Sequence, residues 1–260
     1  ADNLLIEGST TGDSSAKSIG FDDNNNVTGH SSVHLIGDRL ELSYKGATDL
    51  YVNGNGSLVI ESESASFGEE VSLERVTVGN SFTSATIGKT TNTGDITVGS
   101  EGLNISGPID IYGGQINLNG VIKTTLNNDP ISSAPNIAIN GANIAVGADV
   151  SAASTGDVVL GGPATLTNTV TFSGKDVALG GLDGDNHSVT FDATSTTIDA
   201  HTHSVSNIVN LIVTGDVGLN GTIATTGNQS YGGDVGVLGN TTLTAGSGAI
   251  SLGTGGEVVG

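Results

Sequence analysis

Pairs of apolar residues separated by one residue recur along this chain at a nearly even spacing. From Ile96 with Val98 they continue through Ile116 with Leu118, Ile137 with Ile139, Val158 with Leu160, Val177 with Leu179, Ile198 with Ala200, Val217 with Leu219, Val235 with Val237 and Ile250 with Leu252. In the other direction they are Val76 with Val78, Leu58 with Ile60, Leu40 with Leu42, Ile19 with Phe21 and Leu4 with Ile6. Side chains two apart on a strand share a face, so each pair marks one short strand with a single buried side. The spacing gives about fourteen rungs of roughly 15 to 21 residues, within the range of period that solenoids use.

A second apolar column follows the first in most rungs: Val33 with Leu35, Leu50 with Val52, Val71 with Leu73, Ile109 with Ile111, Val170 with Phe172, Val189 with Phe191 and Leu211 with Val213. A fainter third column includes Leu103 with Ile105 and Ile144 with Val146. Two or three short strands per turn predict an all-β fold, a parallel β-helix (β-solenoid) in which each turn lays its strands over those of the turn below. Fourteen turns would make a rod roughly 65 Å long at about 4.8 Å per turn. A sandwich or barrel also fits many short strands, but neither has reason to keep several columns in register.

Composition supports the same fold. With 41 Gly, 3% aromatic and 13% charged residues, the chain lacks the makings of a helical repeat, while 35% hydrophobic residues placed in register argue against disorder. Residues 1–260 therefore read as one β-solenoid domain, with no Pro-rich or Ser-rich linker dividing it. The opening at Ala1 and the unfinished phrase "GTGGEVVG" suggest a segment of a longer chain or a rod that stacks.

Charge limits the partners. A net charge of −20, with seven basic residues in all, leaves no basic patch for phosphate backbones or anionic lipids, so nucleic acid is not expected. No apolar run reaches the roughly 18 residues of a membrane span, and the absence of cysteine removes disulfide and thiolate chemistry.

The most regular polar position is the one just before the first apolar residue of a rung, which reads Asp95, Gln115, Asn136, Asp157, Asp176, Thr197, Asp216 and Asp234. This places Asp157 over Asp176 and Asp216 over Asp234. Like charges opposed across a strand pair are unfavourable, and calcium, which takes several carboxylate oxygens, would relieve them. The plainer role for these side chains is to hydrogen-bond turn backbone.

The phrase "IDAHTHS" puts His201 and His203 at i and i+2, on one side of a strand, where two imidazoles suit zinc, copper or nickel; Asp199 or Asp183 are candidate companions. His187 is not in register with them, and His30 and His34 have less support still as ligands. Glycine and asparagine after the core pairs, such as Asn119, Gly120, Asn140 and Gly141, read as corners, and Asn119 over Asn140 as an amide ladder. The chain shows no Gly-x-Ser-x-Gly elbow, phosphate loop or metalloprotease helix. Tyr44, Tyr51, Tyr112 and Tyr231 fall at different points of the rung, and threonines cluster within rungs, which favours neither a sugar platform nor an ice-binding face.

The stretches "GDITVGSEGLNISGPIDIYGGQINLNGVIKTT" and "VGLNGTIATTGNQSYGGDVGVLGNTTLTAGSGAISLG" resemble the repeat regions of large bacterial surface exoproteins related to filamentous haemagglutinin. The resemblance implies export to the cell surface, a long right-handed β-helix and a role in adhesion or surface filaments; it supplies no catalytic residues. The secretion motifs Asn-Pro-Asn-Leu and Asn-Pro-Asn-Gly-Ile are absent.

The expected function is thus a non-enzymatic, extracellular structural or adhesive rod: a stalk, filament or adhesin segment. It would associate with itself end to end or side by side, or with host or neighbouring glycans or proteins, without inserting in a membrane. The alternatives are a carbohydrate-active β-helix of tailspike or lyase type and a calcium-dependent surface-layer or matrix protein.

Overall fold

A computed structural model describes residues 4–8, 26–30, 32–40, 42, 50–126, 134–253 and 258–259. Among them the regular elements are strands, and the strands pair in parallel, forming a β-solenoid of about ten turns. Where all three faces are described, the chain visits them in a fixed order.

The first face runs through Leu4, Val33, Leu58, Ala85, Ile109, Ile137, Val158, Val177, Thr196, Val217, Val235 and Val258, each paired with the next. The second stacks Val71, Ile96, Ile116, Ile144, Ala164, Leu182, Val205, Ile223 and Leu243; its Leu182–Val205 and Val205–Ile223 steps are both made by one long strand. The third carries Leu103, Ile122, Val150, Phe172, Phe191, Val213, Tyr231 and Leu252, preceded by a separate three-stranded sheet through Leu50 and Val76. Some strands bend across a corner without a break. Ile109–Leu118 serves the first and second faces, Val170–Leu179 the third and first, and Val189–Ile208 all three.

Alternation does what the sequence leads one to expect. In Ile109–Leu118, Ile109, Ile111, Ile116 and Leu118 are fully buried, with Asp110 and Asn117 turned outward. The β-branched and leucine side chains of successive turns stack in a narrow core, where Phe172 and Phe191 lie nearly parallel with ring centroids 5.5 Å apart. A polar pair interrupts this core near its end. Tyr231 donates its hydroxyl to Gln229 Oε1 at 3.0 Å, and Gln229 Nε2 donates to the Thr244 carbonyl at 2.9 Å. Both side chains are wholly buried, and burial pushes the Tyr231 phenol well above its ordinary range. On the last described strands the inward-facing Ile250 and Leu252, and Val258, are 42%, 44% and 57% exposed.

The turn count corrects the estimate of fourteen rungs. Turns measured on the first face take about 24 to 29 residues before Ile137 and about 18 to 21 from there to Val235. The evenly spaced apolar pairs do not form one column. Ile96 and Ile116 belong to the second face, Ile137 to Val235 to the first, and Val76 and Ile250 to the third. Each face shows the same apolar-x-apolar phrase, so the phrase identifies a strand but not its face. Within the first face the pair at 198 is also shifted: Thr196 and Ile198 are the inward residues, and Ala200 sits at the corner. Leu40 and Leu42 are buried outside the described strands, and Ile19 and Phe21 lie outside the described residues.

Truncating one ring of the aromatic stack leaves a cavity that neighbouring turns cannot close without breaking register. Phe191→Ala is expected to lower stability by about 3–5 kcal/mol, read as a fall in the urea midpoint.

Candidate functional site

At each corner the chain leaves one ladder before joining the next, so its backbone N–H groups need partners from elsewhere. The polar residue preceding an inward position supplies them. Asp95 Oδ1 accepts the Gln115 N–H at 2.8 Å, Asn136 Oδ1 accepts that of Asp157 at 2.9 Å, and Asp149 Oδ1 accepts that of Thr171 at 2.7 Å. On the third face Asn210 Oδ1 accepts from Asn228 N–H, and Asn228 Oδ1 from Ala249 N–H, both at 2.9 Å. The side chain of one turn thereby closes the backbone of the next, in the manner of an Asx turn extended between turns.

The four aspartates proposed for calcium fall into two separate pairs. Asp157 lies beside Asp176, and Asp216 beside Asp234, since their following valines are register partners. Between the pairs stands Ser195; Thr197, read from sequence as a member of this column, points outward two residues later. Asp95 and Gln115 serve the second face and are not in the column at all.

Each pair handles its charge differently. Lys175 Nζ donates to Asp176 Oδ2 at 2.8 Å. That bond, then the charges of Asp176 and Asp157, hold the Lys175 ammonium above its ordinary range. The chain's own cation thus sits against the first pair. In the second pair, Asp216 Oδ1 accepts the Asp234 N–H at 2.9 Å. Among the described residues no three His, Cys, Asp or Glu side chains are grouped as ligands of one ion.

His201 and His203 are both exposed on a bulge of the strand Val189–Ile208. Asp199 stands at its base, its Oδ1 accepting the His201 N–H at 3.1 Å and the Asn220 Nδ2–H at 2.9 Å. Asp183 is not brought to the histidines: it pairs with Ser206, and its Oδ1 accepts from Asp185 N–H and Asn207 Nδ2. His34 Nε2 lies 2.8 Å from Glu61 Oε1, on a turn far along the coil from His201 and His203.

The proposed amide ladder of Asn119 over Asn140 does not form. Asn140 pairs with Tyr112 on the first face, whereas Asn119 follows Leu118 on the second. The actual rule is complementary in size. Asn53, Asn140 and Asn220 each lie against a glycine of the following turn, Gly79, Gly161 and Gly239, where a Cβ would strike the amide oxygen.

Two features escaped sequence reading. Buried Asn92 accepts the N–H groups of Phe67 and Gly94 at 3.0 Å and donates to the Tyr112 carbonyl at 2.7 Å, clamping three turns together. Its only signal is an asparagine flanked by threonines, indistinguishable from a surface loop. A cavity of about 280 Å³ beside it is lined by Phe67, Gly68, Glu69, Glu70, Thr93, Gly94 and Asp95. Its acids are engaged: Glu69 pairs with Arg39, Glu70 accepts the Thr97 hydroxyl, and Asp95 accepts the Gln115 N–H. The described tyrosines do not converge: Tyr51 stands outward on the third face, Tyr112 is half-buried at a corner, and Tyr231 fills the core, while Tyr44 lies outside the described residues.

Compared with family models, with curated proteins and with solved structures, the chain shows no match. Nothing in those comparisons identifies a filamentous-haemagglutinin-like family.

The corner chemistry predicts opposite outcomes for two nearby glycines. A Cβ at Gly162 would strike the Gly141 carbonyl oxygen, whereas one at Gly180 meets nothing within 4 Å. Gly162→Ala is expected to cost about 1–3 kcal/mol, while Gly180→Ala is neutral or gains about 0.4–1 kcal/mol through the unfolded chain, both read by chemical denaturation.

Proposed function

We propose that this chain is a non-enzymatic, extracellular structural or adhesive rod, acting as a stalk, filament or adhesin segment. The observation that carries this reading is the first-face ladder, which continues from turn to turn from Val33 to Val235. Along it, corner oxygens such as those of Asn136 and Asp216 are committed to the backbone of the adjacent turn. Polar groups used this way hold a shape. A catalytic pair needs carboxylates aimed at a substrate across a defined gap.

In this reading the rod's work is mechanical. Parallel ladders on three faces resist bending, and the acidic exterior, with a net charge of −20, keeps rods dispersed until a partner or cation offsets the repulsion. The resemblance of the repeats to those of filamentous-haemagglutinin-like exoproteins points the same way, towards the cell surface.

Electron microscopy of the purified chain should show straight rods roughly 50 Å long, from about ten turns at about 4.8 Å each, or end-to-end multiples of that length. Incubation with a panel of acidic and neutral glycans should release no oligosaccharide. Release would favour the carbohydrate-active alternative, and assemblies that disperse on chelation would favour the calcium-dependent one.

A further inference from the structure

We propose that His201 and His203 form a two-imidazole chelate for a borderline divalent transition metal, of which Zn²⁺ is the simplest representative. The site rests on a local departure from register, the largest insertion among those in the paired strands. Ala200 pairs with Gly221 and Val205 with Ile223, so His201, Thr202, His203 and Ser204 stand opposite Thr222 alone. Three residues more than the neighbouring turn requires are pushed outward.

All four are exposed, and the residues that flank them, Ala200 at the corner and Val205 on the second face, are already buried. The bulge therefore fills no part of the core. What it does is present two imidazoles, one residue apart, free of competing ion pairs among the contacts of the described residues.

Three surrounding details suit a metal ligand. Thr202 Oγ1 lies 3.2 Å from His203 Nδ1. In the tautomer that protonates Nδ1, the ring donates to this hydroxyl and turns the Nε2 lone pair to solvent, the usual outer support of a ligating histidine. Asp199 fixes the base of the bulge through the His201 N–H and is itself held by Asn220. The turn below leaves room: a side chain at Gly181 would strike His203 Cβ.

Neutral imidazole is a good ligand for zinc, copper and nickel, and the acidic surface raises the local concentration of cations. No third side chain of the described residues is grouped with the pair, so the chelate is bidentate, with water or a partner's donor in the remaining positions. This inference does not depend on the rod reading; it concerns one corner of the coil.

Titration of the full chain with Zn²⁺ alone, followed by calorimetry, tests it. One ion per chain is expected to bind, His201→Ala and His203→Ala each to abolish the binding heat, and Thr202→Val to weaken it about tenfold. His187→Ala should leave it unchanged. Because the bulge packs against no core, the variants should melt as the parent does. Absence of binding in the parent, or binding that survives His201→Ala combined with His203→Ala, would overturn the proposal.

Discussion

Everything in this molecule depends on the parallel hydrogen-bonded step from one turn to the next. Parallel strands must be joined by a crossover, and here the crossover is the rest of the turn, which passes through two other faces before returning. The ladder repays the chain only if all three faces close in the same register. A turn that gained or lost one residue within a strand would turn its inward leucines and valines to solvent on that face. The corners are where such differences are absorbed.

The two kinds of corner side chain follow from that constraint. Where the backbone leaves a ladder, an aspartate or asparagine oxygen of the turn below accepts its stranded N–H, as Asp149 does for Thr171 and Asn228 for Ala249. Where the asparagine instead lies flat against the next turn, that turn has glycine, as at Asn140 and Gly161. These pairings explain why glycine is so abundant in a chain whose strands are otherwise β-branched. They also explain why the acidic column is compatible with stacking: Lys175 sits against one pair of carboxylates, and Asp216 of the other faces a backbone donor.

The fold class was legible in the sequence because alternation is a local property, visible in segments as short as Ile137 with Ile139. The assignment of strands to faces was not, since each face repeats the same phrase and only pairing across a whole turn separates them. From Ile137 to Val235 the chain spends nearly equal lengths on each turn, and there the first column was read correctly except at Thr196. Before Ile137, loops such as those holding Phe67 and, a turn later, Asn92 lengthen the turns and defeat a fixed period. The pairing of Asp157 with Asp176 and of Asp216 with Asp234 was visible, because valines follow all four. The clamp made by Asn92 was not, because its partners, Phe67 and Tyr112, lie a full turn away on either side.

The histidine bulge shows something about the architecture as well as about its chemistry. Three surplus residues leave the coil between Ala200 and Val205, yet pairing resumes on either side of them, with Leu179 against Ile198 before the bulge and Val205 against Ile223 after it. A corner of this kind is an attachment point: sequence grafted there would be carried outward at a fixed height on the shaft, leaving the packing beneath it undisturbed.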